Sequence, residues 1–131
     1  MGRSSRSLLT GLRIGAVAAA LLLASPAQAM TVAEFVRRAD AVLARGLLAM
    51  ASPEIPVLRA EMRQAIDSLR ARENAARARG RRPPFCLPPR GTQVDPFAIL
   101  AQLRALPARQ QRRLQVREAL PPIAARQFPC R

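Results

Sequence analysis

Histidine, lysine, tryptophan and tyrosine are all absent from this chain. Without histidine there is no Ser-His-Asp or Cys-His arrangement, and no imidazole to bind a metal. With only Phe35, Phe85, Phe97 and Phe128 as aromatics, there is no platform on which bases or sugars would stack. Glycines are few, and Gly80 and Gly91 stand isolated, so no glycine-rich loop cradles a phosphate. The eight acidic residues are scattered, mostly at predicted helix starts or opposite arginines, where they read as caps and solvated partners. Only Cys86 and Cys130 carry sulfur for nucleophilic work, and neither has a base to activate it. This inventory argues against an enzyme, and no catalytic residue, cofactor or metal site is expected.

One apolar run of any length is present, Ile14 to Ala24. Arg3, Arg6 and Arg13 make the segment around it basic, and Pro26 and the small-x-small triplet Ala27-Gln28-Ala29 follow. These are the three parts of a secretory signal. The run is shorter than the roughly 20 residues needed to span a bilayer, which disfavours an uncleaved anchor. No cysteine sits near the cleavage site to carry a lipid. The expected organisation is a cleaved signal peptide over 1–29 and a single periplasmic domain over 30–131, with no membrane span after cleavage. Two cysteines in such an exported domain predict one disulfide, Cys86–Cys130. For a domain this small, the cross-link is expected to stabilise by about 4 kcal/mol of a total of ~5–15 kcal/mol.

All 22 basic residues are arginine, and the formal net charge is +14. Removing the leader leaves 19 arginines against eight acids, a net charge of +11. Coding bias is the simplest source of the missing lysine. A strongly basic chain suits nucleic acid, an anionic envelope or an acidic protein. Export makes nucleic acid the weakest of the three, a reading that rests on charge alone, and no nucleic-acid partner is expected.

Thr31 and Glu34 form a capping-box pattern, followed by Val32, Phe35, Val36, Ala39, Val42, Leu43, Leu47 and Met50 at helical spacing. Gly46 is expected to end this first helix, with a short continuation through Met50. Ser52-Pro53-Glu54 starts a second, long helix running to about Arg79, with Pro56 as the alternative start. Its buried stripe is Leu58, Met62, Ala65, Ile66 and Leu69. Gly80 to Asp95 holds too many prolines and glycines for a regular element and reads as a loop. Asp95-Pro96 opens a third helix that ends before Pro107, with Ile99, Leu100, Leu103 and Leu106 inward. A last helix is expected from about Gln115 to Gln127, burying Val116, Leu120, Ile123 and Ala124. No strand pattern appears. The fold class is all-α: a small bundle of four to five helices with one disulfide.

Binding is the function class left. Arg77, Arg79, Arg81, Arg82 and Arg90 cluster around the start of the central loop and are the candidate partner-binding residues. The alternative is that they are only solvated surface. Arg109, Arg112, Arg113 and Arg117 form a second basic group between the third and last helices, with the same alternative.

The segment from Phe85 to Cys130 resembles the C-terminal half of the Rap/Tai immunity proteins, exported proteins that protect bacteria from type VI secretion amidases. The resemblance rests on Phe85-Cys86-Leu87-Pro88, then Gly91, then the amphipathic stretch from Asp95 to Pro107. An Ala- and Leu-rich helix and the ending Phe128-Pro129-Cys130 complete it. It implies a helical periplasmic protein, often a homodimer, with its disulfide at the positions of Cys86 and Cys130. It also implies a cell-wall amidase effector as partner, whose active-site cleft the immunity protein occludes without doing chemistry itself. No partner-contact residue is carried over. Pro121 and Pro122 depart from the family's unbroken last helix. They predict a break or kink there, with Pro121 opening a second short helix. The alternative function is a non-catalytic periplasmic accessory protein whose basic surface binds anionic envelope components.

Overall fold

Thr31 fixes where helical structure begins. Its backbone is extended, and its Oγ1 accepts the Glu34 N–H at 3.2 Å, satisfying one of the free donors of the first turn. The structure, a computed structural model, describes residues 29–131. The expected signal peptide, except for its last residue Ala29, lies outside the described residues. Helix α1 (Val32–Leu43) buries Val32, Phe35, Ala39 and Val42 along one face, as the spacing predicts. Glu34 does not complete a reciprocal box: its carboxylate instead accepts from Arg38 at 2.6 Å.

After Leu43 the expected stripe fails. Gly46 adopts φ 56°, and Gly46–Ala51 forms a 3₁₀ turn. Leu47, Leu48 and Met50 point to solvent, Leu47 with 94% of its surface exposed. The cause is geometric. The left-handed glycine redirects the chain, and three residues per turn replace 3.6, so the sequence spacing no longer follows the α1 face.

Helix α2 (Glu54–Ala78) starts where Ser52-Pro53 predicts, with Ser52 Oγ accepting the Glu54 N–H at 3.3 Å. Pro56 falls in its first turn, where a missing N–H costs nothing. Its end is fixed by Gly80 at φ 65°, with Gly80 N–H donating to the Arg77 carbonyl and Arg81 N–H to that of Ala76. This paired arrangement satisfies the last carbonyls and needs a left-handed residue at position 80. Helix α3 (Pro96–Arg104) is capped by Asp95, whose Oδ1 accepts the Phe97 N–H at 2.9 Å. A short helix α4 (Ala108–Arg113) follows Pro107, which the sequence reading did not expect.

Helix α5 (Val116–Gln127) corrects the expected break: it continues through Pro121 and Pro122. The two prolines remove the donors for the carbonyls of Arg117 and Glu118, four residues earlier. Both of those residues are exposed, so water can take the donors' place. The other side of α5 buries Val116, Ala119, Leu120, Ile123 and Ala124, and that burial holds the helix together.

Five α-helices and one 3₁₀ turn therefore make an all-α fold with a disulfide, and no strand occurs among the described residues. A single antiparallel bridge joins Thr31 and Gln115. Val32 N–H donates to the Leu114 carbonyl at 2.9 Å, and Val116 N–H to that of Met30 at 3.0 Å. The starts of α1 and α5 are thereby tied side by side. Helix α5 lies chiefly against α2, and α1 covers the remaining side with α3 and α4. Phe85, from the central loop, is the largest fully buried side chain of the core.

Candidate functional site

The loop between α2 and α3 is irregular in backbone but anchored at many points. Phe85 is driven into the core, 1% exposed, between loop prolines that cannot form regular structure. Next to it Cys86 bonds to Cys130, with Cα atoms 4.9 Å apart. Cys86 N–H also donates to the Phe128 carbonyl at 2.8 Å, so the two family-like motifs meet through a covalent and a hydrogen bond.

Helix α2 holds the loop from the other side. Glu73 is buried, and its carboxylate accepts from Leu87 N–H at 3.3 Å and from Arg77 at 2.8 Å. Arg70 donates to the Pro88 carbonyl at 2.8 Å, while its Nε is buried without an acceptor. Gly91 then turns the chain at φ 90°, a conformation that disfavours any side chain. Phe128 packs against the core from the C-terminal side, and Pro129 is exposed.

The five loop arginines fall into two groups. Arg77 bonds Glu73 and lies 3.3 Å from Cys86 Sγ. Arg82 donates to the Cys130 carbonyl at 2.6 Å, and Arg90 pairs with Asp67 at 3.2 Å. These three brace the stapled loop. Arg79 and Arg81 are exposed and make no side-chain hydrogen bond among the described residues. They project from the end of α2, where the Gly80 turn separates them. The second basic group is spread over α4 and the first turn of α5, exposed and likewise without acidic partners among the described residues.

Most of the acids are paired elsewhere. Arg38 donates to Glu34 and, at 3.2 Å, to Glu54, clasping α1 to the start of α2. The Glu34 hydrogen bond, with the Glu54 charge adding to it, raises the Arg38 guanidinium above its ordinary value. Arg104 pairs with Asp40 between α3 and α1. Five of the eight acids are thus neutralised by four arginines, which leaves a surface of unpaired guanidinium groups.

Two hollows open on the α2 side of the molecule. One, about 390 Å³, lies between the loop, α2 and α5 and is lined by Leu69, Leu87 and Ile123 together with Arg70 and Arg90. The other, about 300 Å³, is an apolar groove between α1, α2 and α3, lined by Phe35, Leu43, Met62 and Phe97. The spacing of Glu73 and Arg77, four apart in the favoured order, predicts their pair, but sequence reasoning missed this groove and the contacts of Glu73 with Leu87 and of Arg70 with Pro88. The signal available was modest: an acid four residues before Arg77, in line with Glu61, Ala65 and Leu69 on the buried face of α2.

No group of three His, Cys, Asp or Glu side chains able to hold a metal ion occurs among the described residues. Among those residues, no helix is long and apolar enough to cross a membrane. The arrangement offers two distinct surfaces: a stapled loop with exposed arginines beside it, and an apolar groove. No protein-family model, no curated protein and no solved structure matches the chain.

Proposed function

We propose that this protein is a non-catalytic periplasmic immunity protein that binds and blocks a peptidoglycan amidase of a type VI secretion system. The observation that carries the reading is the joining of Phe85-Cys86-Leu87-Pro88 to Phe128-Pro129-Cys130 by the disulfide, within an all-helical domain. These are the residues on which the resemblance to Rap/Tai proteins rests. The leader-like N-terminus and the oxidised cysteine pair support export to the periplasm. Arg79 and Arg81 are the loop arginines best placed to meet an acidic partner, because Arg77, Arg82 and Arg90 are engaged within the chain. A homodimer, which the resemblance also implies, would present two such loops.

The test is co-expression. A cell-wall amidase encoded beside this gene is directed to the periplasm of a host, with and without the protein. Relief of lysis, together with co-purification of the pair, is the expected result. Undiminished lysis at equal expression would reject the reading.

The excess of unpaired arginine favours a second reading: an accessory protein that binds anionic envelope polymers. Retention on purified envelope that salt abolishes, with no protein partner present, would favour it over the first.

A further inference from the structure

The 3₁₀ turn between α1 and α2 is the least expected surface of the molecule. Leu47, Leu48 and Met50 are 94%, 78% and 86% exposed, with Leu43 just before them at 43%. Isolated exposed leucines are ordinary, but a run of this kind is an interaction signature when it adjoins a concavity. Here it does. Leu43 ends α1 as a wall of the 300 Å³ groove, and Leu58 and Arg59 in the first turns of α2 line it too. The opposite wall is Phe97, 60% exposed at the start of α3. The turn and the groove are thus continuous along the chain, an apolar strip running from Met50 to Phe97.

Charge decides what covers it. Of the acids at this end, Glu34 and Glu54 pair with Arg38 and Asp40 with Arg104, Glu61 is buried, and Asp95 caps α3 beside Phe97. Arg45, Arg59 and Arg63 engage no acid among the described residues, and Arg59 lines the groove itself. The strip is therefore apolar, with a rim of three exposed arginines against one exposed acid outside any ion pair, Asp95. A second copy would set the same cations against each other, on a chain already carrying excess positive charge.

We propose that this strip is a docking site for a segment of another protein that presents large aliphatic side chains flanked by carboxylates. Leucine and phenylalanine would fill the groove, and the carboxylates would meet Arg45, Arg59 and Arg63. Arginine suits such a rim, since its planar fork binds carboxylates bidentately. The strip lies near the N-terminal end of α2, whereas Arg79 and Arg81 lie at its C-terminal end, with Arg59 and Arg79 about 30 Å apart along the helix axis. It does not require the partner to be an amidase, so the two readings can fail separately.

The experiment uses a random peptide library displayed on phage, selected against the purified full chain and counter-selected against Phe97→Ser. Both proteins are first checked for equal helical signal and melting temperature, which an exposed position should leave unchanged. Selected sequences are expected to combine Leu, Ile, Phe or Met with Asp or Glu. The best of them, synthesised, should bind about tenfold more weakly to Leu47→Ser and to Arg59→Glu, and more weakly as salt rises. Failure to obtain any peptide sensitive to Phe97→Ser would overturn the proposal, as would enrichment of basic peptides. A dimer in sedimentation equilibrium that Phe97→Ser dissolves would also overturn it, because the strip would then belong to a second copy.

Discussion

Glu73 anchors the central loop to α2. A buried carboxylate is costly unless its lone pairs are used, and here Leu87 N–H and Arg77 both use them. Replacing Glu73 with Ala strands the Leu87 N–H beside the core. The expected loss is about 1–3 kcal/mol, read from the urea midpoint. Exposed Arg79 has no such partner, so Arg79→Ala should shift stability by no more than ~0.5 kcal/mol. If Arg79→Ala instead proves as costly as Glu73→Ala, the division of the arginines into bracing and free groups is wrong. Phe85 is the other decisive residue. It is both part of the family-like motif and fully buried, so Phe85→Ala should cost about 3–5 kcal/mol through cavity formation. The pairing of Glu73 with Arg77 was legible in their spacing, but the burial of Glu73 was not, because burial of a charge depends on what folds over it. Phe85 was visible as a motif residue, but not as the largest fully buried side chain of the core.

Helix ends were largely legible, because capping is local chemistry. Thr31, Ser52 and Asp95 each accept from the first turn of their helices, as their types and spacing predict. Gly80 shows the same at a C-terminus, and Gly80→Ala should cost about 1–2 kcal/mol by forcing a side chain into a left-handed backbone. Helix α5 was misread for an opposite reason. Local rules give Pro121 and Pro122 a penalty of ~3 kcal/mol or more, yet burial of Ile123 and Ala124 against α2 holds the helix across them. Pro122 is exposed, so Pro122→Ala restores an intrahelical donor without disturbing the core. Melting should rise by a few degrees, equivalent to about 1 kcal/mol. A lower melting temperature would mean that the proline serves the fold through the unfolded chain instead. Helix α4 was missed because six residues carry too little periodicity to reveal a helix.

At the scale of the molecule, the disulfide ties the central loop to the C-terminus across 44 positions of sequence. Removing it with the paired substitution Cys86→Ala and Cys130→Ala should cost about 4 kcal/mol, measured by denaturant unfolding of the two proteins side by side. Hydrogen exchange should then rise first at the backbone N–H groups of positions 86 and 87, which lose a fixed Phe128 carbonyl and a fixed Glu73 carboxylate. Equal protection in both proteins would mean that Phe85 and Glu73 hold the loop without the staple. The same scale governs the basic surface. Five ion pairs absorb most of the acids, and the remaining guanidinium groups make any association through them sensitive to salt.

The sequence by itself determined the helical class, the pairing of the only two cysteines, the main helix starts and the sign of the surface charge. Each depends on residue type and near neighbours, or on a pairing with no alternative. Only the tertiary structure decided that Leu47, Leu48 and Met50 face solvent, that Glu73 is a buried clamp, that α5 survives two prolines, and which arginines are left unpaired. These outcomes depend on which surfaces meet across distant parts of the chain. No local spacing fixes that, because burial and pairing are properties of the assembled bundle and not of any one of its helices.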